Sequence, residues 1–288
     1  MTARTGLAWL LSLAFAVAAT WLAASYWFGR ELPDPSVLQR SLRSGLLGET
    51  RAYLVHLPES YAREPARRYP VVYVLDGSSQ DVHTAASAEL MARIGASPET
   101  IVVGIPNVDG KGRQRDYTPP GMRQDIDEPD SPGGEADRFL AFLRRELIPR
   151  VEREFRANGE RTLAGNSRGG LFAVYALTAG DGSFRHYIAN SPALWRDDDA
   201  MVQRLDRFLR GHRAGLHADL FLSLGGAENA KMRRAFGRAV ATLQRDASPG
   251  LRWKAYTTPA ATHADNARKA TPVALRWIAG DDACTPPP

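Results

Sequence analysis

An α/β architecture, a mostly parallel central sheet with helices on both faces, is the fold class that the sequence predicts. Short apolar runs of strand length alternate along the chain with segments of helical spacing. Several of those runs are continuously apolar, as strands buried on both faces must be. The length of 288 residues suits one domain of roughly 240 residues behind a short N-terminal appendage.

From the N-terminal side, Ala52 to Leu57 alternates weakly and reads as an early strand. Val71-Val72-Tyr73-Val74-Leu75 is a buried strand ending at the turn pair Asp76-Gly77, and Ile101 to Ile105 is a second. Further strands are expected at Arg161 to Ala164, Tyr187 to Ala189, Leu220 to Leu224 and Arg252 to Thr257. Phe139, Leu140, Phe142, Leu143, Leu147, Val151 and Phe155 recur at helical spacing, with Pro149 expected to kink that helix. Helices also fit Leu171 to Leu177, Met232 to Leu243 and Val273 to Ile278. The segment Asn107 to Gly134 has no periodicity and is rich in Gly, Pro, Asp and Arg. A loop that long inside a compact domain is usually functional or disordered.

Four segments result: 1–30 a signal anchor or signal peptide, 31–40 a linker, 41–280 the catalytic domain, and 281–288 a Pro-rich tail. Leu7 to Phe28 carries no charge and is long enough to span a bilayer of about 30 Å as a helix. Trp21, Tyr26 and Trp27 gather at its far end, where amphipathic aromatics favour the membrane interface. Ala16-Val17-Ala18 offers a cleavage site, so a signal peptide competes. The length of the run favours an uncleaved anchor. Either reading exports the remaining chain, to the periplasmic or extracellular side.

Composition narrows the function. The net charge is +5, and arginine supplies almost all of the positive charge, Lys111, Lys231, Lys254 and Lys269 being the only lysines. No basic run is interleaved with aromatics, and the arginines mix with acids, so a solvated surface is preferred to a nucleic-acid role. Cys284 is the single cysteine, and the six histidines are scattered without HExxH or CxxC, so neither a metal site nor a cofactor is predicted.

Gly165-Asn166-Ser167-Arg168-Gly169 matches the G-x-S-x-G nucleophile elbow of the α/β-hydrolase fold. The serine there must sit on a sharp strand-to-helix turn, so the positions two residues either side must be small. Strand-like Thr162 to Ala164 precedes it and helix-like Leu171 to Leu177 follows. In this fold the chain order is serine, acid, histidine. His263 lies after the last strand, at the carboxyl end where ligands gather, whereas His212 and His217 precede a strand. Glu228 follows the strand Leu220 to Leu224 and is the preferred acid, with Asp265 and the run Asp197-Asp198-Asp199 as rivals. The oxyanion hole needs two N–H groups. Arg168 supplies one, and the turn Asp76-Gly77-Ser78 the other, with Ser78 the candidate.

With those residues in place, the chain resembles the Putative esterase family of α/β-hydrolases. Enterobactin and bacillibactin esterases, S-formylglutathione hydrolases, feruloyl and acetyl-xylan esterases and mycolyltransferases belong to it. The resemblance runs from about Ser41 to Ile278. It rests on RRYPVVYVLDG, GIPNVDGKGRQRDYTPP, LAGNSRGGLFAVYAL, YIANSPALWRDD, LFLSLGGAEN and THADN. It implies a Ser167–His263–Glu228 triad with oxyanion donors at Ser78 and Arg168. By the same resemblance, Asp116-Tyr117-Thr118-Pro119 borders the pocket of the siderophore-esterase branch and Trp195 stands near the pocket wall. Lys111, Arg113 and Arg115 would suit an anionic substrate, although Asp125, Asp127, Glu128 and Asp130 offset them. Arg115, Asp116, Tyr117 and Trp195 are the substrate-binding candidates.

The expected function is hydrolysis of a small or siderophore-type carboxylic ester through an acyl-enzyme, outside the cytoplasm. Acyl transfer, a carbohydrate esterase on the same triad and a non-catalytic binding module are the alternatives. The expected partners are a small-molecule ester and, through the N-terminal helix, a membrane.

Overall fold

The computed structural model describes residues 37–211 and 216–280. Eight strands form one sheet: β1 (Leu38–Arg43), β2 (Thr50–His56), β3 (Tyr69–Leu75), β4 (Ile101–Ile105), β5 (Ala157–Asn166), β6 (His186–Asn190), β7 (Ala218–Gly225) and β8 (Leu251–Thr258). Their order across the sheet is β1-β2-β4-β3-β5-β6-β7-β8. The pairs β1–β2 and β2–β4 are antiparallel, and every later pair is parallel. The fold class read from the sequence is thus the one observed.

Alternation across the strands builds two cores. Val72, Val74, Val102, Ile188 and Phe221 point to one face, where helices α1 (Gln80–Arg93) and α8 (Asn266–Ile278) cover them. Tyr73, Leu75, Val103, Leu163 and Leu222 point to the other. That face carries α3 (Ala136–Phe142), α4 (Ile148–Glu154), α5 (Arg168–Ala179), α6 (Ala200–Gly211) and α7 (Ala230–Asp246). Burying a strand on both faces stabilises it by roughly 1.5–3 kcal/mol per large apolar side chain, which is why the central runs contain almost no polar residue.

Three elements differ from the expectation. Strand β1 begins at Leu38, inside the segment read as linker, because its mostly exposed and polar residues carry no strand signal. Helix α2 (Gly110–Tyr117) interrupts the segment expected to be loop, and the Asp109 side chain caps it by accepting the Gly112 N–H at 2.6 Å. Between α3 and α4 the chain winds as a π turn, Leu143–Leu147, and Pro149 stands at the start of α4 just after it. The wider turn accommodates a residue that lacks an N–H, where a kink was expected. The anchor or signal segment, Leu7 to Phe28, lies outside the described residues, as does His212. Among the described residues no helix is long and apolar enough to cross a membrane.

The amino ends of β6, β7 and β8 are tied by one lateral row. His186, Asp219 and Arg252 are neighbours in register. His186 Nδ1 lies 2.8 Å from Asp219 Oδ2, and Arg252 donates to the same carboxylate at 2.8 and 3.2 Å. Burial acts to raise the Asp219 carboxyl, but donation from His186 and Arg252 outweighs it and holds the group well below its ordinary value. A carboxyl depressed in the folded state adds stability above its unfolded value and loses it as pH falls towards the folded one. Asp219→Asn should therefore lower the urea midpoint at neutral pH. It should also flatten the wild-type loss of stability below about pH 4, as equilibrium unfolding across that range would show.

Candidate active site

The carboxyl ends of β3, β5, β7 and β8 carry the predicted residues. Strand β5 ends at Asn166 and α5 starts at Arg168, so Ser167 alone makes the reversal, with φ 57° and ψ −113°. A left-handed backbone is costly for a residue with a side chain, and it persists here because the surroundings hold it. Ser167 N–H donates to Asn190 O at 2.9 Å, and Ser167 O accepts from Ala193 and Leu171, both at 3.0 Å. The turn is so tight that a Cβ on Gly165 would stand 2.3 Å from the Gly169 backbone. Gly165 thus has a steric reason, whereas a Cβ on Gly169 would meet its neighbours at 3.4 Å or more.

His263 sits in the loop after β8 and is exposed; Glu228 sits in the loop after β7 and is buried. His263 Nδ1 lies 3.0 Å from Glu228 Oε2. The other carboxylate oxygen, Oε1, accepts from the Gly225 N–H at 2.8 Å and from Ser191 Oγ at 2.5 Å. Burial acts to raise the Glu228 carboxyl, yet donation from His263, Ser191 and Gly225 prevails and lowers it. The rival acids are engaged elsewhere. Asp265 accepts from Thr262 N–H and Oγ1 and pairs with Lys269, while Asp197 pairs with Arg123 and Asp199 with Arg238. The Ser167 hydroxyl makes no hydrogen bond to His263; such contacts often tighten only when substrate is bound.

Ser78 lies on the turn after β3, with φ 70°, and its hydroxyl donates back to Gly77 O at 2.5 Å. Arg168 is the first residue of α5, at the positive end of the helix dipole. Among the described residues no hydrogen bond engages the N–H of either one. A polar cleft of about 390 Å³ is lined by Ser78, Ser79, Asn107, Arg113 and Asn166, the residue before Ser167 in the chain. Its floor is stiff. Asp76 takes Arg113 through two oxygens at 2.6 and 2.8 Å and Asn107 at 2.6 Å, and a Cβ on Gly77 would meet Ile105 N at 2.4 Å. Sequence patterning singles out Arg113 as a cation that would suit an anionic substrate and Asp76-Gly77 as a turn, but it gives no sign that Asp76 and Asn107 join Arg113 in one cluster. The Arg168 side chain leaves the cleft for the long loop, donating to Thr118 Oγ1 at 2.7 Å and Gln124 O at 2.8 Å. Burial, with Arg196 and Arg113 nearby, pushes that guanidinium down to about 10.

Two of the substrate-binding candidates lie in the core and a third is engaged in an ion-pair cluster. Asp116 and Tyr117 face inward at 1% and 0% exposure. Asp116 Oδ2 meets Arg51 Nη1 at 2.6 Å, and Arg51 is itself buried under Phe139. Arg115 is turned to the same cluster, 2.8 Å from Asp116 and 3.0 Å from Glu49. Tyr117 packs against Phe139 and Phe172, and its hydroxyl accepts the Asp76 N–H at 3.1 Å. These residues hold the floor of the cleft from beneath, since a helix inside the long segment turns them into the core. Trp195 stays partly exposed, with Lys231 Nζ 3.9 Å from its ring centre.

The match to known proteins is consistent along the chain. The model of the family described as Putative esterase covers residues 44–267. The ferri-bacillibactin esterase BesA of Bacillus subtilis is 28% identical over 191 residues, 62% of this chain and 65% of that protein. The siderophore enterobactin esterase of Emericella nidulans is 30% identical over 183 residues, 57% of this chain and 59% of that protein. The chain thus spans less than two thirds of the length of these two relatives. An IroE-like serine hydrolase from Shewanella oneidensis superposes with a TM-score of 0.77 at 29% identity, over 84% of this chain and 80% of that one. The BES protein from Bacillus cereus superposes with a TM-score of 0.76 over 88% and 98%, at 24% identity that speaks to the fold alone.

Removing one member of a buried ion pair leaves the other uncompensated, at a cost of about 3–5 kcal/mol. Asp116→Asn should fall near the lower end, because Glu49 still reaches Arg51 at 3.0 Å. Thermal melting should register that loss while KM of the folded enzyme stays within about twofold, as expected of a residue that does not touch substrate.

Proposed function

This chain belongs to the Putative esterase family, and from that premise we propose that it hydrolyses a carboxylic ester with Ser167 as nucleophile, His263 as base and Glu228 as the acid that orients it. The observation that carries the reading is the 3.0 Å contact between Glu228 Oε2 and His263 Nδ1, on loops that flank the left-handed Ser167. A carboxylate on Nδ1 keeps the proton there, so Nε2 is left with its lone pair free to act as base.

In the proposed cycle His263 Nε2 takes the Ser167 proton as Oγ attacks the ester carbonyl. The oxyanion is held by the N–H groups of Ser78 and Arg168, and its collapse expels the alcohol, which receives the proton from His263. Water, deprotonated by the same imidazole, then attacks the acyl-enzyme; the acid leaves and Ser167 regains its proton. Glu228 stays ionised throughout and stabilises the imidazolium. Donation from three groups keeps that carboxyl low, which favours the role.

The proposed substrate is a siderophore-type ester, supported by the names of the relatives, and the proposed location is outside the cytoplasm. The uncharged run Leu7 to Phe28 supports export. Alkaline phosphatase fused after about residue 40 should be active in a bacterial host, and a fusion active only in cytoplasmic form would reverse the topology.

A fluorophosphonate probe should label the enzyme at Ser167, and Ser167→Ala should abolish labelling and nearly all turnover of p-nitrophenyl esters. Labelling that survives the substitution would remove Ser167 from the mechanism. Glu228→Gln should lower kcat by roughly two to four orders of magnitude, as neutralising a triad carboxylate does. Asp265→Asn should leave kcat within a few-fold of wild type. The reverse pattern would move the acid to the histidine loop.

A further inference from the structure

Behind the Glu228–His263 pair lies a chain of buried polar side chains that the proposed mechanism does not use. Ser191 follows β6 with φ 43°, is 0% exposed, and donates from Oγ to Glu228 Oε1 at 2.5 Å. Asn266, the first residue of α8 and also 0% exposed, donates from Nδ2 to Ser191 Oγ at 2.9 Å and to Ser223 Oγ at 3.0 Å. Ser223 Oγ donates to Asn190 Oδ1 at 2.7 Å, and Thr258 Oγ1 donates to Asn266 Oδ1 at 2.5 Å. These residues come from β6, β7, β8 and α8, and they join the loop that carries the acid to the loop that carries the histidine.

The direction of each proton is forced. A hydroxyl has one proton, and a carboxylate can only accept. With Glu228 ionised, Ser191 must donate to it, so Ser191 has only lone pairs to offer Asn266. Those lone pairs take one N–H of Asn266, Ser223 takes the other, and Ser223 is left to donate to Asn190. Flipping the Asn266 amide would set its Oδ1 against two hydroxyl oxygens. Ser191 would then have one proton for two acceptors, leaving a short O···O contact without a hydrogen. The orientation of Asn266 and the ionised state of Glu228 are therefore one and the same arrangement.

We infer that Ser191 and Asn266 are positioning residues for the acid: they hold Oε1 of Glu228 as a saturated acceptor, so that Oε2 alone is presented to His263. This rests on the triad proposed above. The consequence is a restrained carboxylate. With Oε1 bound by Ser191 and by the Gly225 N–H, the side chain cannot rotate to exchange its oxygens, and negative charge is drawn away from the imidazole. Arg233 donates to the Glu228 backbone carbonyl, and Asp265 near His263 is occupied by Lys269 and Thr262.

The test uses Ser191→Ala and Asn266→Asp in the full chain. Loss of one hydrogen bond to a charged group should lower kcat by roughly 10- to 100-fold. KM should change by less than about twofold, because neither residue touches substrate. Without the Ser191 donor, Glu228 becomes more basic and its hold on imidazolium stronger, so the His263 titration should move to higher pH. Asn266→Asp keeps the shape but replaces the donor with an acceptor that competes for the Ser191 proton, and it should move the titration the same way. The titration is read by NMR of isotopically labelled histidine in a Ser167→Ala background, where no turnover is needed. If the wild-type chain proves inactive on every ester, the titration still decides whether the network acts on His263. A wild-type kcat in Ser191→Ala, or a lower melting temperature with an unmoved histidine titration, would overturn the proposal, since packing alone predicts that pattern. Should Asn266→Asp fail to fold, Ser191→Ala decides the question alone.

Discussion

A single left-handed residue between a strand and a helix organises the site. Ser167 reverses the chain within one position, and that is possible only if the strand, the helix and the flanking glycines come into near-contact. The hydrogen bonds that hold the turn come from outside it, from Asn190 and Ala193 in the β6 region. The cost of the backbone conformation is thus borne by the neighbouring strand. The tight reversal makes Arg168 the first residue of α5 and sets Ser167 at the carboxyl edge of the sheet.

Around that turn the site divides into a stiff floor and a polar back wall. The floor is built from charges and aromatics: Arg113 on Asp76, Tyr117 beneath Asp76, and Arg51 with Asp116 further in. Buried ion pairs seldom add much stability over apolar packing, but they tolerate little displacement. Their effect here is to pin the turn that carries Ser78. The back wall is uncharged apart from Glu228 and is made of hydroxyls and amides with their protons in a set order. One wall holds the turn that carries Ser78, and the other holds the carboxylate that meets His263.

The long segment between β4 and α3 shows how a polar stretch can be structural. Its composition suggests a substrate loop. Helix α2 instead turns Asp116 and Tyr117 into the core and leaves Arg113 at the cleft. A short helix capped by one aspartate, with a polar sequence, has no hydrophobic period to reveal it. The inward face became visible only from what covers it.

The sequence alone determined the parallel sheet and the tight turn at Ser167, because each is local, whereas the order serine, acid, histidine was an expectation taken from the fold class. Continuous apolar runs report burial on two faces, and Gly165 reports a turn that excludes a Cβ. It also placed Glu228 after the seventh strand and His263 after the eighth, where the two side chains meet. The tertiary structure decided which of several carboxylates meets the histidine, which residues of the long segment face solvent, and that Ser191 and Asn266 stand behind the acid. Those facts depend on side chains from β6, β7, β8 and α8 meeting in space. Residues such as Ser191 and Asn266 carry no local signal: a serine before a proline, or an asparagine opening a helix, is ordinary in sequence. Each becomes distinctive only once burial obliges every polar atom to find its partner.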